Sequence, residues 1–161
     1  MDIPLIEQVK IQAQVLVPLV KALQAELGET RANAIVRKAL GDLYRTYGEK
    51  WWRTQEARSL GEKVASAFEM FAAGDALEYT MLNTAPDAAG LNVTKCRYAE
   101  FYKKIGAPEL GFLLTCNGDT DFFHAEGFGA NVRLTVTQTI MQGASHCDFR
   151  WEQEKHKGAV P

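Results

Sequence analysis

The feature that most constrains the fold is a change of hydrophobic period at Gly74. Before this glycine, apolar residues recur at the spacing of amphipathic helices, and after it they alternate with polar residues as in half-buried strands. One change in this direction predicts an α+β fold, with helices packed against an antiparallel sheet of about four strands. The 161 residues suit one domain. We expect a helical part at 1–75, an α+β part with the site at 76–153, and a frayed tail at 154–161.

The apolar spacing in the helical part predicts about three helices. Gly28 supplies the stop for the first, and Pro18 inside the same apolar pattern should kink it. Thr30 is the expected N-cap of the second helix, which Gly48 should end. The predicted helices span residues 5–27, 30–47 and about 54–73.

Alternation of apolar and polar residues in the second half predicts two pairs of antiparallel strands, separated by short helices. The run VRLTVTQTI at 132–140 is the clearest strand because it is rich in β-branched residues. The segment TAPDAAG at 84–90 has the composition of a turn between the first two strands. The predicted strands are 77–81, 91–96, 132–140 and 146–152, and the short helices are 98–105 and 109–114.

Alternation along the last two strands predicts which residues share a face. If apolar faces apolar, Cys147 lies on the inner face near Gln138 and Ile140, and the polar Gln138 there needs a partner or a ligand. On the outer face, we expect Asp148 and Arg150 beside Thr139 and Thr137. A slip of one residue would reverse every assignment. Cys147 and Arg150 cannot line one pocket unless a bulge re-aims one of them.

Cys147 has two interpretations. It is either a small buried side chain packed beside Phe149, as free cysteines often are, or a nucleophilic thiolate. A nucleophile needs a base or a positive charge to activate it. His146 is adjacent in sequence but points to the opposite face of a strand, so His124 is the easier partner.

The segment from Cys116 to Gly129 is the second candidate region, because we expect it to be a long loop without regular structure. It contains the acids Asp119 and Asp121 and the imidazole of His124, with phenylalanines between them. It is either a solvated loop held down by those phenylalanines, or a binding loop. In the second case one acid serves as general base or as a clamp for a cationic amidine, and His124 shuttles protons.

Composition excludes several classes of function. A net charge of -2 and the absence of a basic run argue against nucleic-acid binding. We expect no membrane span, and three cysteines suit a reducing, cytoplasmic compartment. The soft ligands Cys96, Cys116, Cys147, His124 and His146 could gather around a metal, but they lack the close spacing of metal motifs. We therefore expect no cofactor.

Three stretches, read together, resemble a known family. They are KCRYAEFYKKIGAPELGFLLTCNGD at 95–119, RLTVTQTIMQG at 133–143 and SHCDFRW at 145–151. This order of motifs is similar to that of the L-2-amino-thiazoline-4-carboxylic acid hydrolases, which are small bacterial proteins. The resemblance implies importance for Cys96, Tyr98, Glu100, Gly106, Glu109, Cys116, Asp119, Gly143, Cys147, Asp148 and Arg150.

The resemblance implies hydrolysis of a small cyclic substrate at an amidine-like carbon. In such a ring the carbon between two nitrogens and a sulfur becomes electrophilic on protonation, and a Cys147 thiolate could add to it. Asp119 or Asp121 could pair with the amidinium, and Arg150 or Arg133 with a substrate carboxylate. The remaining expected contacts to substrate are Cys96, Tyr98, Glu100, Cys116 and Gln138.

Two alternatives remain open at this point. One is a metal-dependent hydrolase in which Cys and His ligands hold a hydroxide-bearing ion. The other is a non-catalytic module that binds a ligand or mediates oligomerisation, with structural cysteines. In either case we expect a small-molecule partner and a homo-oligomer formed through the N-terminal helices.

Overall fold

The computed structural model describes residues 3–155, so residues 156–161 of the predicted tail, His156 among them, lie outside the described residues. The class is α+β, as predicted. Three long helices, α1 to α3, precede all strands, and a run of shorter helical elements separates the two hairpins. The helices are α1 (Leu5–Leu27), α2 (Glu29–Arg53), α3 (Leu60–Ala72), α4 (Arg97–Lys104), α5 (Pro108–Gly111) and α6 (Asn117–Phe123), with a π-helix at Phe112–Cys116 and a 3₁₀ turn at Ile140–Gln142. The strands are β1 (Leu77–Ala85), β2 (Ala88–Cys96), β3 (Val132–Val136) and β4 (Cys147–Gln153).

The four strands form one antiparallel sheet in the order β1-β2-β4-β3. The two hairpins therefore meet along β2 and β4, where Val93 pairs with Cys147 and Leu91 with Phe149. Residues alternate between buried and partly exposed along the first part of β4, and Trp151 continues the inner face. The prediction that Cys147, Phe149 and Trp151 share an inner face is confirmed.

The core consists of two apolar clusters. In the first, α3 packs on the inner face of the sheet, and the rings of Phe68, Phe123 and Trp151 contact one another beside Trp52. In the second, α1 and α2 pack against α4, α5 and the π-helix. Leu77, Cys96 and Ile140 contact both clusters, so the sheet and the helical layer meet there.

Three predicted boundaries in the helical part are wrong. Helix α2 begins at Glu29 with Gly28 as its N-cap residue, so Thr30 lies inside the helix and does not cap it. Helix α2 continues through Gly48 to Arg53, and a Cβ at Gly48 would lie 2.7 Å from the Phe122 carbonyl oxygen of α6 and 2.6 Å from the Ala125 Cβ atom. This glycine serves close packing against α6 and does not act as a stop. Helix α3 begins at Leu60, where Ser59 accepts a hydrogen bond from the Glu62 N–H and the Glu62 side chain accepts one from Ser59 in a capping box. Helix α1 runs through Pro18 to Leu27.

The segment 116–129 is not the predicted long loop. A nearly continuous helical run extends from Pro108 through the π-helix and α6 to Phe123, and only the part after His124 is irregular. Its phenylalanines, Phe122, Phe123 and Phe128, are all buried. The Lys63 ammonium donates hydrogen bonds to the Gly127 and Phe128 carbonyls at 2.8 and 2.9 Å, which holds the irregular part against α3.

The register of the β3–β4 pair differs from the prediction by two residues. Thr135 pairs with Arg150 and Val136 with Phe149, and β3 ends there. Asp148 accordingly lies beside Thr137 and not beside Thr139. Because the side-chain period of a strand is two, this offset leaves the residues of β3 on their predicted faces. The prediction that the strand continues to Ile140 is wrong, and Thr139, expected on the outer face, is buried as the N-cap residue of the 3₁₀ turn.

No helix in the described part of the chain is both long enough and apolar enough to span a membrane.

Candidate active site

The three cysteines of the chain converge where the hairpins meet the helical layer. Cys96 ends β2 and caps α4, Cys116 ends the π-helix, and Cys147 begins β4. Asp119 lies in the first turn of α6, and its charge acts on the pKa of all three thiols. The pKa of Cys116 also responds to both other cysteines. We call Cys96, Cys116, Asp119 and Cys147 the thiol cluster.

Asp119 is the acid of this cluster, and its environment is unusual. Burial raises the pKa of its carboxyl from an ordinary acidic value to about 7. The residue nevertheless keeps some accessible surface, as do Cys96 and Cys116. Asp119 is therefore largely desolvated without being sealed from solvent. Such a carboxyl can both lose and accept a proton near neutral pH.

All three thiols are held in the neutral form by burial. Burial raises the pKa of Cys96 to about 11, that of Cys116 well above the usual range, and that of Cys147 as well. Backbone donors oppose this effect. The Ala99 N–H donates to the Cys96 sulfur at 3.4 Å, and the Ile140 N–H donates to the Cys147 sulfur at 3.3 Å. Each donor stabilises a thiolate once the proton has left.

Tyrosines line the same region from two directions. The Tyr44 hydroxyl on α2 donates to the Leu114 carbonyl at 2.7 Å, and the Tyr98 hydroxyl on α4 donates to the Phe71 carbonyl at 2.9 Å. Burial, reinforced by nearby groups that include Asp119, raises the pKa of both phenols. The sequence pattern does not indicate that Tyr44 lies near the thiol cluster. The signal that could have placed it is Gly118 next to Asp119, because a Cβ on Gly118 would lie 2.5 Å from the Tyr44 ring.

Asp121 and His124 follow Asp119 closely along the chain, but they have other contacts. The buried Asp121 carboxylate forms ion pairs with Arg37 and, at 2.9 Å, with Arg45, both on α2. His124 is exposed, and its Nδ1 contacts the Thr120 carbonyl oxygen at 2.6 Å. The charged side chains that act most on the Cys147 pKa are Asp119, Asp148 and Lys103, and His124 is not one of them.

Gln138 finds its hydrogen-bond partner within the protein, at His146. Its Nε2 lies within 3.2 Å of both ring nitrogens of His146 and donates to the His146 carbonyl at 3.1 Å. The Gln138 amide nitrogen is therefore hydrogen-bonded within the segment that joins β3 to β4.

Arg150 lies on the outer face of the sheet, opposite Cys147, and no bulge brings the two together. Its guanidinium donates to the Leu91 carbonyl and to the Asn92 side chain, both at 2.8 Å, and its stem covers Gly90. Arg133 on the same strand pair is in an exposed ion pair with Glu152. Glu100 is exposed on α4. The side chains of Arg150, Arg133 and Glu100 are outside the thiol cluster.

Asp148 organises the segment that reaches Cys147. Its carboxylate accepts hydrogen bonds from the Thr137 N–H at 2.8 Å, the Gln138 N–H at 2.9 Å and the Thr137 hydroxyl. Partial desolvation opposes ionisation, but these hydrogen bonds outweigh it and lower the pKa of Asp148. The fixed segment leads directly into Ile140, the donor to the Cys147 sulfur.

Within residues 3–155, no three or more His, Cys, Asp or Glu side chains are arranged to hold a metal ion. The chemistry that the thiol cluster can perform is proton transfer between sulfur and a carboxyl with a pKa near neutrality, together with nucleophilic attack by sulfur.

Comparison with known proteins identifies the family of the chain. A family model described as L-2-amino-thiazoline-4-carboxylic acid hydrolase matches residues 8–151. The match spans the three long helices as well as the thiol cluster. No curated protein matched the chain.

Proposed function

Because the chain belongs to the L-2-amino-thiazoline-4-carboxylic acid hydrolase family, we propose that it hydrolyses a small cyclic amidine of the 2-amino-thiazoline-carboxylate type, with Cys147 as nucleophile. The observation that carries the proposal is the thiol cluster itself. It joins three thiols to an acid whose pKa of about 7 suits proton transfer at neutral pH. A purely structural set of cysteines would not need that acid.

The proposed reaction begins with proton transfer from the Cys147 thiol to the Asp119 carboxylate. The thiolate then adds to the electrophilic ring carbon of the N-protonated amidine, and the carbon–sulfur bond of the ring breaks. The departing sulfur takes the proton back from Asp119. Water adds to the same carbon and gives one proton to the Asp119 carboxylate, and the bond to Cys147 breaks. The released thiolate takes that proton from Asp119, the remaining hydroxyl proton is lost to solvent, and the carbamoyl product leaves. The Ile140 N–H stabilises the sulfur each time it carries charge.

Asp119 is the better candidate for this role than Asp121 because of their partners. Two arginines already neutralise the Asp121 carboxylate, whereas Asp119 acts on every thiol of the cluster. Asp119 and the thiols Cys96 and Cys116 form the walls that hold the ring next to Cys147 in this proposal. His124 and Gln138, which were expected at the site, are not assigned a role.

The direct test is incubation of the protein with L-2-amino-thiazoline-4-carboxylate, with and without a chelator. Ring opening is measured by the mass of the product and by the free thiol that it releases. Ring opening that survives the chelator and is lost in Asp119→Asn supports the proposal. Asp121→Asn is the matched control, since it makes the same substitution two residues away. It should lower stability, because it leaves arginines unpaired, while the folded fraction keeps its kcat. Loss of turnover on chelation would overturn the thiolate mechanism, and no turnover at all would overturn the substrate assignment.

We also propose that the protein is a cytoplasmic homo-oligomer assembled through its N-terminal helices. Its three cysteines are free, which suits a reducing compartment. Ile11, Val15 and Leu19 lie on successive turns of α1 with exposures of 52–67%. Light scattering of the full chain tests the assembly, and we expect Val15→Glu to yield a smaller species. A monomeric parent protein would overturn this proposal.

A further inference from the structure

A short turn carries the backbone donor of the proposed nucleophile. The Ile140 N–H, which donates to the Cys147 sulfur at 3.3 Å, belongs to the first residue of the 3₁₀ turn between β3 and β4. Such a donor stabilises a thiolate only while its N–H stays directed at the sulfur. The residues that fix this turn therefore affect the chemistry of Cys147, even where they do not contact the sulfur.

The start of the turn is fixed by side chains of the second hairpin. Thr139 is the buried N-cap residue, and its hydroxyl accepts a hydrogen bond from the Gln142 N–H at 3.2 Å. The Asp148 carboxylate accepts hydrogen bonds from the N–H groups of the two residues before Thr139. These contacts orient the chain as far as Ile140, and the carbonyl of that residue is held by other groups.

Lys103 holds the carbonyl of Ile140 from the helical layer. It lies in the last turn of α4, and its ammonium donates to the Ile140 carbonyl at 2.7 Å. The same carbonyl accepts a hydrogen bond from the Gly143 N–H at 3.0 Å inside the turn. The next residue, Met141, is buried against α5, where a Cβ on Gly111 would lie 2.6 Å from the Met141 sulfur. Lys103 thus joins α4 to the turn through a charged donor, which binds a carbonyl more strongly than a neutral donor does.

The charge of Lys103 also acts on the Cys147 thiol. Burial, together with the negative charges of Asp119 on α6 and Asp148 on β4, raises the pKa of this thiol. The Ile140 N–H and the Lys103 ammonium act in the opposite direction. The pKa values of the other two thiols of the cluster in turn respond to Cys147. Lys103 is thus the cation among the charged side chains that act most on the proposed nucleophile.

We propose that Lys103 is a positioning residue for the nucleophile. It holds Ile140 so that the N–H of this residue faces the Cys147 sulfur, and its charge favours the thiolate. The inference rests on the proposed function, because it concerns the step in which Cys147 loses its proton. Lys103 acts through Ile140 and not through contact with substrate, so it affects formation of the thiolate and not binding of the ring.

The test measures the thiols without any substrate. Folded protein is treated with iodoacetamide at neutral pH, and the initial alkylation rate of each cysteine is followed by the mass of its peptide. The proteins are the parent, Lys103→Met, Lys103→Arg and Lys104→Met. Lys104 is the matched control because it is the next residue on α4, carries the same charge and is also exposed. Iodoacetamide is uncharged, so the charge of Lys103 does not attract it. Cys96 is the internal reference, since its sulfur accepts from the Ala99 N–H of α4 and not from the turn.

We expect Lys103→Met to slow alkylation of Cys147 about threefold or more, the usual size of one exposed charged contact, because less of the thiol is ionised. The rate at Cys96 should stay unchanged. Lys103→Arg should restore most of the rate at Cys147, and Lys104→Met should match the parent. A rate at Cys147 in Lys103→Met that equals or exceeds that in Lys104→Met would overturn the inference. A parallel loss at Cys96 would overturn it as well, since it would indicate a general change of the fold. A Cys147 that stays unmodified in the parent protein would remove both this inference and the nucleophile.

Kinetics then distinguish the inference from the proposed function. If the parent protein opens L-2-amino-thiazoline-4-carboxylate, Lys103→Met should lower kcat and leave KM nearly unchanged. A change confined to KM would overturn the positioning role of Lys103. Absence of turnover together with Lys103-dependent alkylation of Cys147 would leave the inference standing and remove the proposed reaction. Turnover with alkylation rates that do not depend on Lys103 would do the reverse.

Discussion

The two apolar clusters of this protein differ in what they bury. The first, between α3 and the sheet, is built from aromatic rings in edge and stacked contacts, and the ammonium of Lys63 beside it is engaged by two carbonyls. The second, between the N-terminal helices and the helical run that begins with α4, borders Cys96 and Cys116, whereas Cys147 is buried in the first cluster. The aromatic rings of the first cluster therefore serve stability, whereas the junction of the two clusters, where the thiols and Asp119 lie, gives up some stability to keep titratable groups away from water.

Removing the nucleophile is expected to have the largest effect. If Cys147 attacks the ring, Cys147→Ala should lower kcat/KM by about 10⁴-fold or more, since the rest of a catalytic set retains little activity once its nucleophile is lost. The melting temperature should change little, because alanine replaces a small side chain. Cys96→Ala provides the comparison: it removes a thiol of the same cluster and should reduce activity far less. Similar losses in both variants would show that Cys147 has no special role.

Truncating an aromatic side chain of the first cluster should lower stability more than catalytic activity. Phe123 is 1% exposed and contacts Trp52, Phe68 and Trp151. Phe123→Ala should lower the free energy of unfolding by about 3–5 kcal/mol, the usual cost of a large buried cavity. Urea denaturation measures this loss, and Phe123→Leu, which leaves a smaller void, should lie between the variant and the parent. A loss under about 1 kcal/mol would mean that the cluster is poorly packed.

A substitution at Gly118 should affect both stability and the catalytic acid, because Gly118 packs against Tyr44 and precedes Asp119. A Cβ there would approach the Tyr44 ring to 2.5 Å, so Gly118→Ala should cost about 1–3 kcal/mol of stability by overpacking and displace Asp119 from the thiols. The matching double variant, Gly118→Ala with Tyr44→Leu, makes room for the methyl group. Stability should recover in part in the double variant. If Tyr44→Leu made the loss larger, the clash would not be its cause.

Stability and activity should depend on pH in opposite directions, although both depend on the carboxyl of Asp119. The folded pKa of Asp119, about 7, exceeds its unfolded value, so the folded state holds an extra proton between roughly pH 4 and 7. Stability should therefore fall as pH rises through this window. Activity should move the opposite way, with kcat/KM dropping about tenfold per pH unit below pH 7, because the carboxylate is the base. Asp119→Asn should abolish the fall in stability, and a fall that persists would assign it to another group.

The fold could be predicted from the sequence in the places where periodicity is informative. The class, the four strands and the inner face of β4 follow from alternation, which survives even the two-residue offset of β3. Boundaries failed where packing decided them. Gly48 resembles a helix stop in the sequence, but its role depends on Ala125, which lies far along the chain.

The thiol cluster could be predicted only in its members. Family resemblance pointed to Cys96, Cys116, Asp119 and Cys147, but no spacing indicates that they meet, because they come from four different elements of the second half. His124 illustrates what sequence proximity leaves open: it is close to Asp119 along the chain, but it lies past the end of α6, contacts the Thr120 carbonyl and is exposed. Periodicity specifies faces, whereas the meeting of faces depends on tertiary packing.

The strand order has a consequence for how the molecule matures. Each hairpin closes locally, but β2 must find β4 across all of α4, α5, the π-helix and α6, which makes this pairing the slow, entropically expensive contact of the sheet. Cys96 arrives with one hairpin and Cys147 with the other. A nascent or partly folded chain therefore has its thiols in separate, solvated surroundings with ordinary reactivity, and the unusual proton affinities arise only when the final ladder closes.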